Sequence, residues 1–130
     1  MKNQETIFLV DDERELRGLV AELLEREGYN VRTAGCVVEA KKVLKNSGFD
    51  LLLLDVMLPD GSGLDLLRYM REEGIQTPVI MLTGTSGLDV AVESVRLGAR
   101  EFVTKPVRIP HLLHSVRDIL SKESHEPAGQ

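Results

Sequence analysis

Four consecutive leucines at positions 51–54 end directly in the carboxylate of Asp55. An uninterrupted apolar run of this length indicates a strand buried on both faces, because a strand with one exposed face alternates polar and apolar residues. Such strands belong to parallel sheets that are covered by helices on both sides. The run therefore predicts an α/β domain. It also places a charge at the end of a buried strand, which is costly unless a cation lies nearby.

The rest of the chain repeats this unit, a short apolar run followed by apolar residues at helical spacing. Gly, Pro and Asn separate the units, as expected for turns between strands and helices. The pattern predicts an α/β fold built on a doubly wound, five-stranded parallel sheet with five helices. Its strands are predicted at residues 6–10, 30–34, 49–55, 78–82 and 101–105.

The predicted helices each present one apolar face. The first face carries Leu16, Leu19, Val20, Leu23 and Leu24, the fourth carries Val90, Ala91, Val95 and Leu97, and the last helix begins at Pro110. The tetrapeptide SGLD occurs at 62–65 and again at 86–89. In both copies the serine is a predicted N-cap, so we expect Ser62 and Ser86 to open the third and fourth helices.

Length and composition are those of one ordinary globular domain. The chain has 130 residues, of which 42% are hydrophobic and 28% are charged, and this is enough to bury a core. We expect a folded domain at residues 1–121 and a polar C-terminal tail or linker stub at residues 122–130. The single cysteine, Cys36, excludes an internal disulfide and favours a reducing, cytoplasmic location.

The charge pattern and the apolar runs argue against two kinds of partner. The net charge is −5 and the basic residues are scattered, which argues against direct nucleic-acid binding by this segment. No apolar run approaches the roughly 18 residues of a membrane span, and the opening residues lack a secretory signal. We therefore expect neither nucleic acid nor a membrane to bind this segment directly.

Polar and charged residues stand at the ends of four predicted strands. Asp11 and Asp12 follow the first strand, Asp55 ends the third, Thr83 follows the fourth and Lys105 ends the fifth. Because the carboxyl ends of parallel strands form one edge of a sheet, these side chains are expected to converge there. Neighbouring carboxylates repel unless a cation intervenes, and oxygen donors without Cys or His beside them favour Mg²⁺.

The same residues predict phosphate chemistry. A magnesium ion with few protein ligands leaves room for a phosphate oxygen, while Lys105 and Thr83 can contact two others. A carboxylate at the centre of such an arrangement is a nucleophile toward phosphorus. Asp55 is the predicted acceptor, and it would form an aspartyl phosphate.

Four segments then occur in a characteristic order along the chain. They are LVDDE at 9–13, LLLLDVMLPDGSGLDLL at 51–67, MLTG at 81–84 and GAREFVTKP at 98–106. Together they resemble the receiver domain of two-component response regulators, over roughly residues 5–121. The resemblance implies a flavodoxin-like fold with strand order 2-1-3-4-5. It also implies a role in phosphorelay signalling, with transcription regulation among the outputs to be expected.

The resemblance implies a role for each matching residue. Asp55 matches the phosphoacceptor that receives its phosphoryl group from a sensor histidine kinase or a histidine phosphotransfer protein. Asp12 and Asp55 match direct Mg²⁺ ligands, together with the backbone carbonyl of Met57. Asp11 matches a residue that acts on the metal mainly through water, and Lys105 matches the lysine that contacts the phosphoryl group.

The resemblance also implies a conformational switch. Thr83 and Phe102 match the pair that moves on phosphorylation, although many family members have tyrosine in place of Phe102. The bond between Lys105 and Pro106 is expected to be cis. The switch would alter the surface of helix four, strand five and helix five, and so control an output domain, a partner protein or a phosphorylation-dependent homodimer. Such a module assists its own phosphorylation and is not a multiple-turnover enzyme.

Other interpretations compete with a phosphorylated receiver. Asp11 and Asp12 could serve only as N-caps of the first helix. A phosphatase that turns over an aspartyl phosphate would need an acid two residues after Asp55, where this chain has Met57. A nucleotide-binding enzyme is a weaker alternative, because the glycine-rich motifs that bind nucleotide phosphates are incomplete in this sequence. A degenerate receiver-like module that never takes up phosphate is a further alternative.

Overall fold

The computed structural model describes residues 4–84 and 87–124. Apolar runs form the strands and the segments with helical spacing form the helices, in alternation. In chain order the elements are β1 (Thr6–Val10), α1 (Arg14–Arg26), β2 (Asn30–Ala34), α2 (Val37–Asn46), β3 (Leu51–Asp55), β4 (Met57–Leu58), β5 (Gly61–Ser62), α3 (Gly63–Glu72), β6 (Val79–Thr83), α4 (Leu88–Arg96), β7 (Glu101–Thr104) and α5 (Ile109–Ser124).

Five strands form one parallel sheet in the order β2-β1-β3-β6-β7. The short strands β4 and β5 pair with each other as a separate antiparallel hairpin. When this hairpin is left out of the numbering, the order becomes 2-1-3-4-5, so the predicted α/β fold is confirmed. The strand β3, which ends in Asp55, lies at the centre of the sheet.

The central strand explains the uninterrupted run of leucines. Leu52 and Leu54 belong to one buried cluster with residues of α2 and α3. Leu51 and Leu53 belong to a second buried cluster with residues of α1 and α5. Successive side chains of a strand point to opposite faces, so a strand between two helical layers must be apolar at every position.

Helix α4 differs from the predicted face. Val90 and Leu97 pack against the core, but Val95 is 69% exposed, together with Leu88 at 75% and Val92 at 47%. The apolar residues of this helix lie on two sides, and only one of them meets the sheet. Helical spacing alone does not reveal which side is buried, and Val95 lies on the predicted helix but outside the core.

The first and last helices need smaller corrections. In α1, Val20 and Leu24 are buried, whereas Leu19 is 49% exposed and lies outside the core. Helix α5 continues to Ser124, three residues beyond the predicted domain boundary. The rest of the predicted tail, residues 125–130, and the predicted cap Ser86 lie outside the described residues. No helix in the described part of the chain has the length and apolarity needed to cross a membrane.

Arg71 joins two loops that follow neighbouring helices. Its guanidinium donates hydrogen bonds to the carbonyl oxygens of Leu97 at 2.8 Å and Gly98 at 3.3 Å, at the end of α4. It also donates to the carbonyl oxygens of Ile75 at 2.8 Å and Thr77 at 3.1 Å, before β6. Burial lowers the pKa of Arg71. One side chain therefore satisfies four backbone carbonyl groups.

Replacing Arg71 with alanine is expected to lower the free energy of unfolding by about 2 kcal/mol, because a charged donor to four carbonyl groups is lost. Arg26→Ala is the matched control, since Arg26 is exposed and forms an i,i+4 ion pair with Glu22. That control should cost about 0.5 kcal/mol or less. Urea unfolding followed by circular dichroism measures both effects, and equal losses would contradict the role given to Arg71.

Candidate functional site

The carboxyl edge of the sheet brings together the side chains that the sequence placed at strand ends. Asp11 is 1% exposed, Asp55 is 3% exposed and Thr83 is fully buried. Asp12 lies beside them and is exposed. Lys105 reaches this cluster from the segment after β7, and its backbone N–H donates to the carbonyl oxygen of Thr83 at 2.6 Å. The expected convergence therefore occurs.

Lys105 is surrounded by three carboxylates. Its Nζ atom lies 3.0 Å from Asp11 Oδ2, 3.1 Å from Asp55 Oδ2 and 3.0 Å from Glu13 Oε1. The lysine side chain is 15% exposed. Sequence reasoning identified Lys105, Asp11 and Asp55, but it missed Glu13, which stands directly after the two predicted metal ligands.

Burial and charge act in opposite directions on these groups. Burial disfavours the charged form of Lys105, but the carboxylates of Asp11, Glu13 and Asp55 outweigh it and raise the pKa of the lysine. Burial also raises the pKa of Asp55, and the nearby Asp11 adds to that rise. The hydrogen bond from Lys105 opposes it only in part. The site therefore holds a fully charged lysine beside a carboxylate whose charge is poorly stabilised.

The acidic cluster fits a magnesium ion. One carboxylate oxygen each from Asp11, Asp12 and Asp55 can lie within 4.8 Å of the others. Oδ1 of Asp11 accepts a hydrogen bond from the Glu13 N–H at 2.8 Å. Oδ2 of Asp11 is buried and accepts no hydrogen bond from the described residues, and it lies 3.0 Å from Lys105 Nζ as an ion pair. A buried, unsatisfied carboxylate oxygen beside two further carboxylates is a donor set that a hard divalent cation prefers.

The loop after β3 holds Asp55 from the other side. Met57 is exposed, and its N–H donates to Asp55 Oδ1 at 3.2 Å. Gly63 opens α3 and donates its N–H to the carbonyl oxygen of Val56 at 2.7 Å. A Cβ atom on Gly63 would overlap the carbonyl oxygen of Asp55 and lie 3.0 Å from its carbonyl carbon. Only glycine lets α3 begin this close to the predicted acceptor.

Asp60 fastens the same loop to α2, a role that sequence reasoning missed. Its carboxylate oxygens accept hydrogen bonds from the N–H groups of Val37 at 2.7 Å and Val38 at 3.0 Å. These two bonds lower the pKa of Asp60. Cys36, which precedes the helix, contributes no side-chain cap of its own. An acid from another part of the chain thus caps α2 and fixes the hairpin that carries Met57.

Two further predicted features are present. The side chain of Ser62 accepts a hydrogen bond from the Leu64 N–H at 3.0 Å, as expected of an N-cap. The bond between Lys105 and Pro106 is cis. In contrast, α1 has Glu13 at its N-cap position, so the interpretation of Asp11 and Asp12 as mere N-caps was wrong.

Phe102 lies apart from the acidic cluster, on the edge strand β7. Its register partner in β6 is Met81, two residues before Thr83. The side chain is half-buried against the core, and the residue lines a cavity of about 250 Å³ together with Pro106, Arg108 and His111.

Sequence comparisons agree with this geometry. The family model described as "Response regulator receiver domain" matches residues 7–117. The chain is 40% identical over 124 residues to the response regulator protein PilR of Pseudomonas aeruginosa, covering 95% of this chain and 28% of PilR. It is 45% identical over 119 residues to the transcriptional regulatory protein CpxR of Escherichia coli, covering 92% of this chain and 50% of CpxR. The chain thus spans half or less of the length of these two relatives.

Solved structures show the same likeness. A CheY-like receiver domain protein from Methanospirillum hungatei superimposes with a TM-score of 0.91 at 31% identity, over 96% of this chain and 100% of that one. The response regulator TrrA from Thermotoga maritima, in complex with Mg²⁺ and beryllofluoride, gives a TM-score of 0.80 at 32% identity. That match covers 89% of this chain and 99% of TrrA.

Asp55→Asn is expected to raise the free energy of unfolding at pH 7 in the presence of EDTA. The pKa of Asp55 is higher in the folded state than its ordinary value of 3.8. The protonated carboxyl of Asp55 is therefore favoured in the folded state. The stability that it contributes is fully present at pH values below the ordinary pKa, and it is lost as the pH rises through the folded-state pKa. At pH 7 the ionised carboxylate is unfavourable, and the neutral amide removes this cost.

Urea unfolding at pH 7 tests this expectation, with Asp65→Asn as the control because Asp65 is exposed on α3. The control should change stability by no more than about 0.5 kcal/mol. Added Mg²⁺ should stabilise the wild type more than Asp55→Asn. A variant less stable than the wild type in EDTA would contradict the electrostatic account.

Proposed function

This chain belongs to the response regulator receiver domain family, and from that premise we propose that it is a switch controlled by phosphorylation of Asp55. The donor is a sensor histidine kinase or a histidine phosphotransfer protein. The observation that carries the proposal is the largely buried ammonium of Lys105, 3.1 Å from Oδ2 of the buried Asp55. A lysine held there neutralises charge at the position where a phosphoryl group would sit.

The proposed transfer is an in-line displacement at phosphorus. A carboxylate oxygen of Asp55 forms a new O–P bond while the N–P bond to the donor histidine breaks. The electron pair of that bond stays on the imidazole nitrogen, which then binds a proton from solvent. Lys105 donates to one phosphoryl oxygen, and the Thr83 hydroxyl donates to another.

Asp11, Asp12 and Asp55 would hold the Mg²⁺, with the backbone carbonyl of Met57 as a further ligand. The ion supplies positive charge that orients the phosphoryl oxygens and offsets their repulsion from the carboxylates. The absence of a carboxylate at Met57 supports a switch over a phosphatase, because no side chain there can protonate a leaving group.

We further propose that Thr83 and Phe102 transmit phosphorylation to the surface formed by α4, β7 and α5. Thr83 would move toward the phosphoryl group, and the ring of Phe102 would turn into the space behind it. Phe102 lines a cavity of about 250 Å³ and is only half-buried, which supports a side chain that can change its rotamer. The readout is an output domain or partner protein, in a cytoplasmic pathway that includes transcription regulation among its outcomes.

The apolar side chains on α4 support self-association as one such readout. Leu88, Val92 and Val95 recur at i, i+4 and i+7 and are 75%, 47% and 69% exposed. Contiguous exposed apolar surface marks interaction sites. A second copy of the chain could bury this stripe against its own through a two-fold axis.

Intact mass after incubation with acetyl phosphate tests the phosphorylation proposal. The wild type should gain one phosphoryl group with Mg²⁺ and none with EDTA. Asp55→Asn should gain none, whereas Asp50→Asn should behave like the wild type, because Asp50 precedes β3 at the end opposite to Asp55. No gain by the wild type, or an equal gain by Asp55→Asn, would refute it.

Sedimentation velocity with and without beryllofluoride tests the self-association. The wild type should form a dimer with beryllofluoride, and Val95→Glu should remain a monomer because a charge would be buried in the interface. Leu19→Glu is the matched control, since Leu19 is an exposed leucine on α1, and it should dimerise normally. A wild type that stays monomeric with beryllofluoride bound would end the dimer proposal.

A further inference from the structure

The side chain of Glu13 contacts Lys105 and does not cap the helix at whose start Glu13 stands. The residue stands at the N-cap position of α1, but its side chain makes no capping hydrogen bond. The side chain reaches across the site instead, and Oε1 accepts a hydrogen bond from Lys105 Nζ at 3.0 Å, from a residue 92 positions away. The backbone around it is fixed, because the Arg17 N–H donates to the Glu13 carbonyl oxygen at 2.8 Å.

This contact adds a third carboxylate around the ammonium of Lys105, which donates hydrogen bonds to Glu13 and Asp55 and forms an ion pair with Asp11. An ammonium group has three N–H bonds, and three carboxylate oxygens lie 3.0 to 3.1 Å from Lys105 Nζ. A phosphoryl oxygen that approaches Lys105 would be a fourth anionic oxygen around the ammonium, and the carboxylates already there would repel it. Its approach is therefore easier when one of the three carboxylates withdraws.

The exposures of the three side chains identify the one that withdraws. The Asp11 side chain is 1% exposed and the Asp55 side chain is 4% exposed, whereas the Glu13 side chain is 57% exposed. Glu13 can rotate into water and keep its charge solvated there. A buried carboxylate that moved away from the ammonium would lose its counterion without regaining water.

We propose that Glu13 is a positioning residue that competes with the phosphoryl group for Lys105 and thereby slows phosphorylation of Asp55. The inference rests on the function proposed above. Glu13 holds the ammonium of Lys105 beside the unphosphorylated carboxylate of Asp55. It also adds a negative charge close to the path of an anionic donor. Both effects favour the unphosphorylated state.

The rate of phosphoryl gain from acetyl phosphate tests the proposal, followed by intact mass at low ionic strength with Mg²⁺. Glu13→Gln keeps the shape of the side chain and removes its charge. It should be phosphorylated about two- to five-fold faster than the wild type, the range for loss of a partly exposed ion pair. Salt at about 1 M should largely abolish the difference, because the screening length falls to about 3 Å.

Glu15→Gln is the matched control, because Glu15 is an exposed glutamate in the first turn of the same helix. Its rate should equal that of the wild type. Equal acceleration by Glu15→Gln would overturn the proposal in favour of a general effect of net charge. A wild type that is phosphorylated while Glu13→Gln is no faster would overturn this inference alone. No phosphorylation of the wild type would overturn the proposed function and this inference with it.

A double-mutant cycle tests the contact without metal or phosphate. Glu13→Gln, Lys105→Met and the double variant are unfolded with urea in EDTA. The effect of Glu13→Gln on the unfolding equilibrium constant should differ about two- to five-fold between the Lys105 and Met backgrounds. Equal effects in the two backgrounds would show that Glu13 does not bind Lys105 in solution, and would overturn the proposal.

Discussion

The ammonium of Lys105 is the charge on which the carboxyl edge of this sheet depends. Two nearly buried carboxylates, Asp11 and Asp55, and the exposed Glu13 all lie within 3.1 Å of it. Without this cation the carboxylates of Asp11 and Asp55 would repel each other, and because both are buried, water could not screen that repulsion. Even with it, the pKa of Asp55 remains raised by burial. The site is therefore left incompletely neutralised, which suits it to bind a further cation.

Most of the architecture could be predicted because it follows from burial. Continuous apolar runs such as Leu51–Leu54 are required wherever a strand lies between two layers of helices. The polar residues that interrupt these runs then fall at one edge of a parallel sheet. For this reason Asp11, Asp55 and Lys105 could be placed together before the structure was known, although 50 residues separate Lys105 from Asp55.

What could not be predicted depends on particular side-chain directions. Glu13 was missed because an acid after two other acids looks like part of a solvated helix start. Glutamate is nevertheless a poor N-cap, and that mismatch was an available sign. Asp60 was missed because it lies in the segment PDGSG at 59–63, whose composition is typical of a turn, yet α2 begins after Cys36 without a capping side chain. The buried side of α4 was ambiguous because apolar residues lie on both of its faces.

The position of Lys105 has a consequence for newly made chains. The lysine follows β7, an edge strand and the last strand within the described residues, so the acidic cluster lacks its ammonium until that strand has docked on β6. A nascent, truncated or partly unfolded molecule in which β7 has not docked therefore presents the carboxylates of Asp11 and Asp55 without the ammonium that pairs with them. Under the function proposed above, a phosphoryl donor would therefore act only on molecules in which β7 has docked on the sheet.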